Sequence, residues 1–215
     1  MMDKFIAELP ALEDGDLMLC HDYGIAYQKD MNNPVPYDEP YFDKYVLYED
    51  TPVALKINEA RISLVNRHVG PDVGVLDIGI GSGEFLKKRG NTFGYDVNPK
   101  AIKWLKERRR WSDSFAAFDV FTFWDVIEHV PEPESYFRKI PVGGWAFFSI
   151  PVFDNLKRIR ESKHYRPNEH FYYFTKLGFV DWMCWNGFAW VETSDAESKA
   201  GRDSILSFAF RKVHD

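Results

Sequence analysis

Three glycines and two carboxylates between residues 77 and 96 form the part of this sequence best suited to chemistry. Asp77 is followed at alternate positions by glycines 79, 81 and 83, directly after an apolar run. Glycine lacks a Cβ, so a turn built from it bends tightly and lets its backbone lie against a ligand. Asp96 ends the next apolar run. In open α/β sheets an acid placed about 20 residues beyond such a turn binds ribose hydroxyls. The pattern therefore predicts a nucleoside-containing cofactor across two strand ends.

The residue after the glycine turn narrows the choice of cofactor. The dinucleotide fingerprint G-x-G-x-x-G needs a third small residue where this chain has Glu84. A pyrophosphate at this helix N-terminus would meet the Glu84 carboxylate, and the helix dipole favours one anion there rather than two. A cofactor without phosphates fits better. The stretch from Asp77 to Gly83 resembles motif I of the class I S-adenosylmethionine (SAM) methyltransferases.

That resemblance implies SAM as the cofactor. It places Asp77 at the methionyl amino group, directly or through water, and Asp96 on the ribose hydroxyls with Val97 beside the adenine. Phe123 and Trp124 are expected to line the sulfonium side, where an aromatic face favours a positive sulfur; the alternative for Trp124 is a plain core position. The residues expected at the cofactor are Asp77, Gly79, Gly81, Gly83, Asp96, Val97, Phe123 and Trp124.

A second reactive group follows the apolar run 118–124. If residues 125–129 form a helical turn, Asp125, Glu128 and His129 share one face. Carboxylates with an imidazole suit hard to borderline ions such as Mg²⁺ or Mn²⁺. His170 is the expected fourth ligand, and His164 is its rival.

The same stretch resembles motif IV of the branch that includes the ubiquinone-biosynthesis O-methyltransferases. Residues 169–175 are also similar to that branch. In the small-RNA 2′-O-methyltransferases a similar acid-x-x-Glu-His holds a divalent ion. By position, this resemblance implies the same ligand role for Asp125, Glu128, His129 and His170. Two alternatives stay open. The cluster is either a hydrogen-bonded support for the loop, or a metal-free site in which His129 or His170 takes the acceptor's proton.

The order of elements favours an α/β fold. It is a Rossmann-like, doubly wound, mainly parallel sheet with a C-terminal antiparallel hairpin, and its third strand is shortened or missing. Strands are expected at 73–77, 118–124, 145–150, 189–193 and 205–211. Helices are expected at 55–69, 84–88 and 175–185, with another that begins at Asn98-Pro99.

Two regions are predicted along the chain. Residues 54–215 are expected to form the SAM-binding domain. Residues 1–53 are acidic and rich in tyrosine, at positions 23, 27, 37, 41, 45 and 48. This N-terminal segment is expected either to pack its rings on the main domain or to close over the cofactor as a lid. Its Asn33-Pro34-Val35-Pro36-Tyr37 looks like an amino-methyltransferase motif, but it precedes the cofactor motif and carries no such role.

Composition limits the partners. The net charge of −6 disfavours a long nucleic acid as the acceptor. A basic run from Lys157 to Arg166 suggests either a solvated face or a site for a phosphate or carboxylate of the acceptor.

Cys20 and Cys184 form no disulfide or zinc pattern. No signal peptide or membrane span is expected, so a cytoplasmic location is predicted. The sequence leaves the oligomeric state open.

Three functions fit these features. The first is a SAM-dependent methyltransferase acting on a hydroxyl or amine of a small metabolite, sugar or nucleotide. The second is a metal-assisted RNA 2′-O-methyltransferase. The third is a SAM-binding regulator or scaffold without catalysis.

Overall fold

A computed structural model describes residues 4–30, 35–36, 38–47, 49 and 51–215. Pro34, Tyr37 and Tyr48 lie outside the described residues, and so do the side chains of Tyr41 and Tyr45. The helices are α1 (Lys4–Ala7), α2 (Glu39–Val46), α3 (Pro52–Val69), α4 (Glu84–Arg89), α5 (Pro99–Glu107), α6 (Glu134–Phe137), α7 (Lys176–Trp185) and α8 (Ala196–Lys199). The strands are β1 (Leu12–Asp14), β2 (Leu17–Cys20), β3 (Ile25–Gln28), β4 (Val75–Ile78), β5 (Thr92–Tyr95), β6 (Val120–Trp124), β7 (Trp145–Pro151), β8 (Tyr172–Phe174), β9 (Phe188–Ser194) and β10 (Ile205–Lys212).

The main sheet has six strands in the order β5-β4-β6-β7-β10-β9. The first four are mutually parallel, and β10 runs antiparallel to both β7 and β9. Every residue of β4 and β6 is buried, as expected for strands covered on both faces. The predicted α/β class and terminal hairpin are confirmed. The shortened third strand is also observed, because a single parallel bridge joins Trp111 to Gly94 at the β5 edge.

Local signals place the helices that support the sheet. Asn98 caps α5 by accepting from the amides of Lys100 and Ala101, and Pro99 takes the first helical position. Thr51 caps α3 in the same way, with Pro52 following it. Helix α3 therefore starts earlier than the expected residue 55, and the boundary at 53/54 falls inside its first turn.

A second sheet was not expected from the sequence. It has four strands in the order β1-β2-β3-β8. Ile25 of β3 pairs with Phe174 of β8, so the N-terminal segment shares a sheet with the chain that follows the main strands. Ile6 and Cys20 pack in the same core as Leu76 of β4. This sheet carries the loop before β8, which brings residue 170 toward the main sheet.

Among the described residues, no helix combines the length and apolar character that crossing a membrane requires.

Candidate cofactor and acceptor site

A cavity of about 800 Å³ opens where β4, β5 and β6 end. This edge is where ligands bind in open α/β sheets. The N-terminal segment and α3 cover one side through Phe42, Glu49, Thr51, Val53, Ala54, Ile57, Asn58 and Arg61. The sheet side contributes Ile78, Gly79, Ile80, Gly81, Ser82, Glu84, Phe85, Tyr95, Asp96, Val97, Asn98, Trp124, Asp125, Val126, His129, Val130, Pro131, Tyr136 and Arg202.

The three glycines of the turn have different surroundings. All three have positive φ, at 70° for Gly79, 54° for Gly81 and 81° for Gly83. A Cβ on Gly79 would lie 2.6 Å from Val126, and a Cβ on Gly83 would lie 2.6 Å from Trp104. A Cβ on Gly81 would meet nothing within 4 Å. Gly79 and Gly81 line the cavity and Gly83 does not. Gly83 was expected at the cofactor, but its place is against Trp104 of α5.

Asp96 lies at the end of β5 and faces the cavity. Its Oδ2 accepts from the Ile80 amide at 2.9 Å, and its Oδ1 accepts from the Asn98 amide at 2.8 Å. Burial raises the pKa of Asp96, while these amide hydrogen bonds lower it. Each carboxylate oxygen has a second lone pair. The geometry therefore joins the acid to the glycine turn and leaves acceptor capacity toward the cavity.

Asp77 lies beneath the turn rather than on the cavity wall. It is fully buried in β4, and its Oδ1 accepts from Thr122 Oγ1 at 2.6 Å. Burial raises the pKa of Asp77 to about 7. A direct contact with the methionyl amino group is not part of this geometry, because Asp77 is absent from the cavity lining.

The three apolar residues expected at the cofactor have different surroundings. Val97 is exposed and lines the cavity. Trp124 lines the cavity and carries the Arg61 guanidinium 5.0 Å from its ring centroid. Phe123 points to the other face of β6, where it is fully buried and stacks on Phe148 at 5.0 Å. The expected sulfonium contact for Phe123 is wrong, because successive side chains of a strand face opposite sides.

Asp125 does not join the other candidate metal ligands. Residues 125–129 are not one helical turn, because Asp125 has φ of 56° and only Ile127–His129 forms a 3-10 turn. Its Oδ1 accepts from Arg202 at 2.8 Å, and its Oδ2 accepts from Arg61 at 2.8 Å and Arg202 at 2.9 Å. Burial alone would raise the pKa of Asp125, but Arg202 and Arg61 hold it well below its usual range.

Glu128, His129 and His170 do come together. One ligand atom from each lies within 4.8 Å of the others. The two imidazole rings meet edge to face with centroids 4.5 Å apart. Two buried atoms, Glu128 Oε2 and His170 Nδ1, have no hydrogen-bond partner among the described residues. Burial raises the pKa of Glu128, and it lowers the pKa of His129 to about 4 and that of His170 to about 2.

Of these three residues, His129 alone is among the cavity-lining residues. The Phe171 amide donates to the Glu128 carbonyl at 2.7 Å, so the loop before β8 is fastened to the turn after β6. His164 is not in the cluster, since its Nε2 contacts the Asp203 carbonyl at 2.7 Å. Of the two rival histidines, His170 is the one that the fold brings to Glu128.

The basic run of residues 157–166 lies away from the cavity lining. Arg158 pairs with Glu161, Arg160 with Asp14 and Asp16, Lys163 with Asp203 and Arg166 with Glu169. These pairs are largely exposed. Of the two alternatives for this run, its exposed ion pairs favour the solvated face, and none of its residues lines the cavity where an acceptor anion would bind.

Arg61 and Arg202 line the cavity and were missed by the sequence analysis. Both also bind Glu197, which is fully buried. Nothing in the local sequence marks them, because a cation on an amphipathic helix, such as Arg61, or in a polar loop, such as Arg202, is ordinarily a solvated residue.

Comparisons with known proteins agree with this fold and show the family. The chain belongs to the family described as a methyltransferase domain, whose model matches residues 11–193. The ubiquinone biosynthesis O-methyltransferase of Chromobacterium violaceum is 31% identical over 119 residues, covering 44% of this chain and 51% of that protein. The Nitrosospira multiformis protein of the same name is 33% identical over 121 residues, covering 44% and 50%. The chain spans about half the length of these curated relatives.

Solved structures show the same fold at low identity. The 1,6-didemethyltoxoflavin-N1-methyltransferase of Burkholderia thailandensis, with S-adenosylhomocysteine (SAH) and 1,6-didemethyltoxoflavin bound, aligns with a TM-score of 0.57 at 18% identity. That alignment covers 96% of this chain and 100% of the other. The magnesium protoporphyrin IX methyltransferase of Synechocystis, with SAH bound, has a TM-score of 0.58 at 12% identity, covering 82% and 96%. The resemblance to the class I SAM-dependent methyltransferases is confirmed.

Proposed function

We propose that this chain binds SAM in the cavity and transfers its methyl group to a hydroxyl or amine of a small molecule. The observation that carries the proposal is one cavity with two unlike walls. One wall is the open glycine turn with the Asp96 carboxylate, and the other holds His129 beside two further buried ligand-type side chains. The family match and the SAH-bound relatives of the same fold support it.

The first wall suits SAM residue by residue. The open space at Gly81 admits close approach of the ligand to the backbone. Asp96 retains lone pairs for the ribose hydroxyls, and Val97 lies beside it for the adenine. Arg61 bonds to the described residues through Nε and Nη2. Its Nη1 is then a donor for the methionyl carboxylate. Asp77 acts on the methionyl amino group through water or through its field.

The second wall suits the methyl acceptor. Methyl transfer breaks the sulfur–methyl bond, forms an oxygen–methyl or nitrogen–methyl bond, and releases SAH and a proton. His129 lines the cavity as a neutral imidazole, so it is the group placed to take that proton. Burial lowers its pKa and so disfavours the imidazolium, which means that His129 would pass the proton on to solvent rather than keep it. Holding the acceptor in line with the sulfur–methyl bond contributes roughly 7–11 kcal/mol to lowering the barrier.

The cluster of Glu128, His129 and His170 also fits a divalent ion. Its donor set is one carboxylate and two imidazoles, and two of its buried atoms lack a partner among the described residues. Two imidazoles favour a borderline ion such as Mn²⁺ over Mg²⁺, which prefers oxygen ligands. A bound ion would lower the pKa of a coordinated acceptor hydroxyl. Asp125, held by two arginines, would take no part.

A small acceptor is favoured over RNA. The named relatives act, by their names, in ubiquinone biosynthesis and on 1,6-didemethyltoxoflavin. The basic run of residues 157–166 is paired with acids and does not line the cavity. The net charge of −6 adds no general attraction for a polyanion.

The experiment has two stages. Calorimetry with SAM and SAH measures cofactor binding, and transfer of a labelled methyl group to a panel of phenols, amines, sugars, nucleotides and short RNAs then identifies the acceptor. We expect both SAM and SAH to bind, and turnover with a small hydroxyl or amine compound. The proposal fails if neither nucleoside binds. Binding without turnover on any acceptor would favour the regulator function, and turnover only on RNA with a steep salt dependence would favour the RNA enzyme.

The ion is tested separately. Chelator treatment followed by readdition of Mn²⁺ or Mg²⁺ is expected to remove and restore turnover while SAH binding persists. Glu128→Gln should weaken Mn²⁺ binding measured by calorimetry, whereas Glu132→Gln, at a nearby position outside the cluster, should not. If the turnover rate is unchanged by chelator and by added ion, the cluster holds no ion that the reaction needs, and His129 would act as a base without a metal.

A further inference from the structure

A network of four charges links three distant parts of the chain at the cavity wall. Arg61 comes from α3, Asp125 from the turn after β6, Glu197 from α8 and Arg202 from the loop between α8 and β10. Arg202 binds both oxygens of Asp125, and both arginines bind Glu197. Ser207 adds a hydrogen bond of 3.0 Å to Glu197.

The network is balanced in charge. Two guanidinium groups face two carboxylates, and the side chain of Glu197 is 0% exposed while those of Arg61 and Arg202 are 12% and 27% exposed. Removing one member of such a buried set leaves an uncompensated charge, whereas removing an opposite pair does not. Arg61 keeps its Nη1 for the methionyl carboxylate in the proposed function, whereas Arg202 gives both of its Nη groups to Asp125 and Glu197, so the role of Arg202 lies in what it holds in place.

What it holds is a turn in an unfavourable backbone conformation. Asp125 has φ of 56°, in the left-handed region that residues other than glycine rarely adopt, although aspartate tolerates it better than most. Such residues persist where their surroundings determine them, and they concentrate at functional sites. The Asp125 amide donates to the Ser149 carbonyl at 2.9 Å, and the two arginines fix its side chain.

The turn at Asp125 determines the positions of two residues of the cavity wall, Val126 and His129. Val126, the next residue, fills the space where a Cβ on Gly79 would lie. His129, at the end of the following 3-10 turn, faces the cavity. A shift of Asp125 would therefore move Val126 against the glycine turn and His129 relative to the acceptor.

We propose that Arg202 is a positioning residue for methyl transfer, which fixes the left-handed turn at Asp125 and through it the places of Val126 and His129. This inference rests on the proposed function. Arg202 lies in the loop between α8 and β10, away from the ends of β4, β5 and β6. Through Asp125, this loop would influence both SAM affinity and turnover. Misplacement of about 1 Å at a reacting centre can cost about 100-fold in rate.

The test is a double-mutant cycle on Arg202 and Asp125 with the full chain. SAH affinity, kcat and KM for SAM are measured for Arg202→Met, Asp125→Asn and the double variant, with Arg202→Lys as the conservative change and Arg158→Met as an exposed control. We expect Arg202→Met and Asp125→Asn each to lower kcat/KM by about 10- to 100-fold. The double variant should be no worse than either, because Arg61 and Glu197 remain balanced. Arg202→Lys should recover part of the loss.

Thermal unfolding of each variant separates positioning from general stability. The inference is overturned if the variants unfold at lower temperature but keep wild-type kcat and KM in the folded protein. It is also overturned if the two single losses simply add, since independent roles would then explain both. Wild-type protein that fails to bind SAH would instead defeat the proposed function, a result that the variants cannot mimic.

Discussion

Asp96 and Asp125 occupy equivalent positions, each directly after a parallel strand of the main sheet, yet the fold uses them in opposite ways. Asp96 is held by two backbone amides from its own neighbourhood, Ile80 and Asn98, and it faces the cavity with a raised pKa. Asp125 is held by two arginines that lie far away in sequence, and its pKa is lowered. A carboxylate with backbone partners stays available to a ligand, whereas one with cationic partners is committed to the structure.

Loss of Asp96 should have the largest effect on cofactor binding. Asp96→Ala would remove the two charge-assisted hydrogen bonds that we propose to the ribose hydroxyls, so SAH affinity is expected to fall by about 2–3 kcal/mol, or roughly 30- to 150-fold. Calorimetry measures it. Asp119→Ala changes an exposed acid just before β6 and serves as the control, with no expected change in affinity. Equal losses from the two variants would show that Asp96 contributes only to stability.

Gly81 provides the next largest effect and a closely matched control. Gly81 and Gly143 both have positive φ, at 54° and 86°, and a Cβ on either meets nothing within 4 Å. Alanine at either position should cost about 1–2 kcal/mol of stability, because both need the left-handed region. Gly81→Ala should also weaken SAH binding by about tenfold, since its methyl group would enter the cavity. If Gly143→Ala weakened binding as much, the close approach at Gly81 would be wrong.

Phe123 and Trp124 are adjacent in β6, and substitutions of the two should have smaller effects that differ in kind. Phe123→Leu should lower the free energy of unfolding by about 1 kcal/mol and leave SAH affinity unchanged, because Phe123 packs on Phe148. Trp124→Phe should weaken binding a few-fold, since Trp124 lines the cavity and carries Arg61. Chemical denaturation and calorimetry on both variants measure the two effects. Weakened binding in Phe123→Leu would contradict the orientation of β6.

The pH dependence of binding gives the smallest effect. Burial raises the pKa of Asp77 to about 7 in the folded protein. The charged form that favours the methionyl ammonium therefore appears as the pH rises from 5.5 to 7.5, and SAH affinity should strengthen a few-fold over that range. The same shift means that the free energy of unfolding without ligand falls between about pH 4 and pH 7, because the folded protein retains a proton that the unfolded chain has lost.

Asp77→Asn checks both statements. Its SAH affinity should be flat across the same pH range, and its stability relative to wild type should improve as the pH rises. Wild-type affinity that also stays flat would mean that Asp77 neither contacts the amino group nor acts on it through its field.

Five of the eight residues expected at the cofactor line the cavity, namely Gly79, Gly81, Asp96, Val97 and Trp124, because they follow directly from strand ends that the sequence marks. Asp96 and the Asn98 cap make contacts within two or three residues, and the glycine turn meets Asp96 across 16 residues, the spacing that the sequence pattern itself contains. The mainly parallel sheet with its terminal hairpin and the reduced third strand followed from apolar runs and turn signals, whereas the order of the strands within the sheet was not predicted. Phe123 was misassigned because periodicity along a strand does not say which face is the cavity.

The acceptor wall depends on long-range contacts that no local pattern encodes. Asp125 was expected at the metal because its partners, Arg61 and Arg202, are 64 and 77 residues away. The second sheet was missed for the same reason, since β3 pairs with β8 across most of the chain. His170 nevertheless lies beside Glu128 and His129, and it was one of two histidines that the sequence offered for this place, with the resemblance favouring it.

A crystal structure of the chain with SAH is the most direct measurement. We expect the nucleoside to lie across the ends of β4 and β5, with both ribose hydroxyls within hydrogen-bond distance of the Asp96 carboxylate and the sulfur facing the wall that holds His129. SAH bound elsewhere, or with its ribose away from Asp96, would contradict the proposed site.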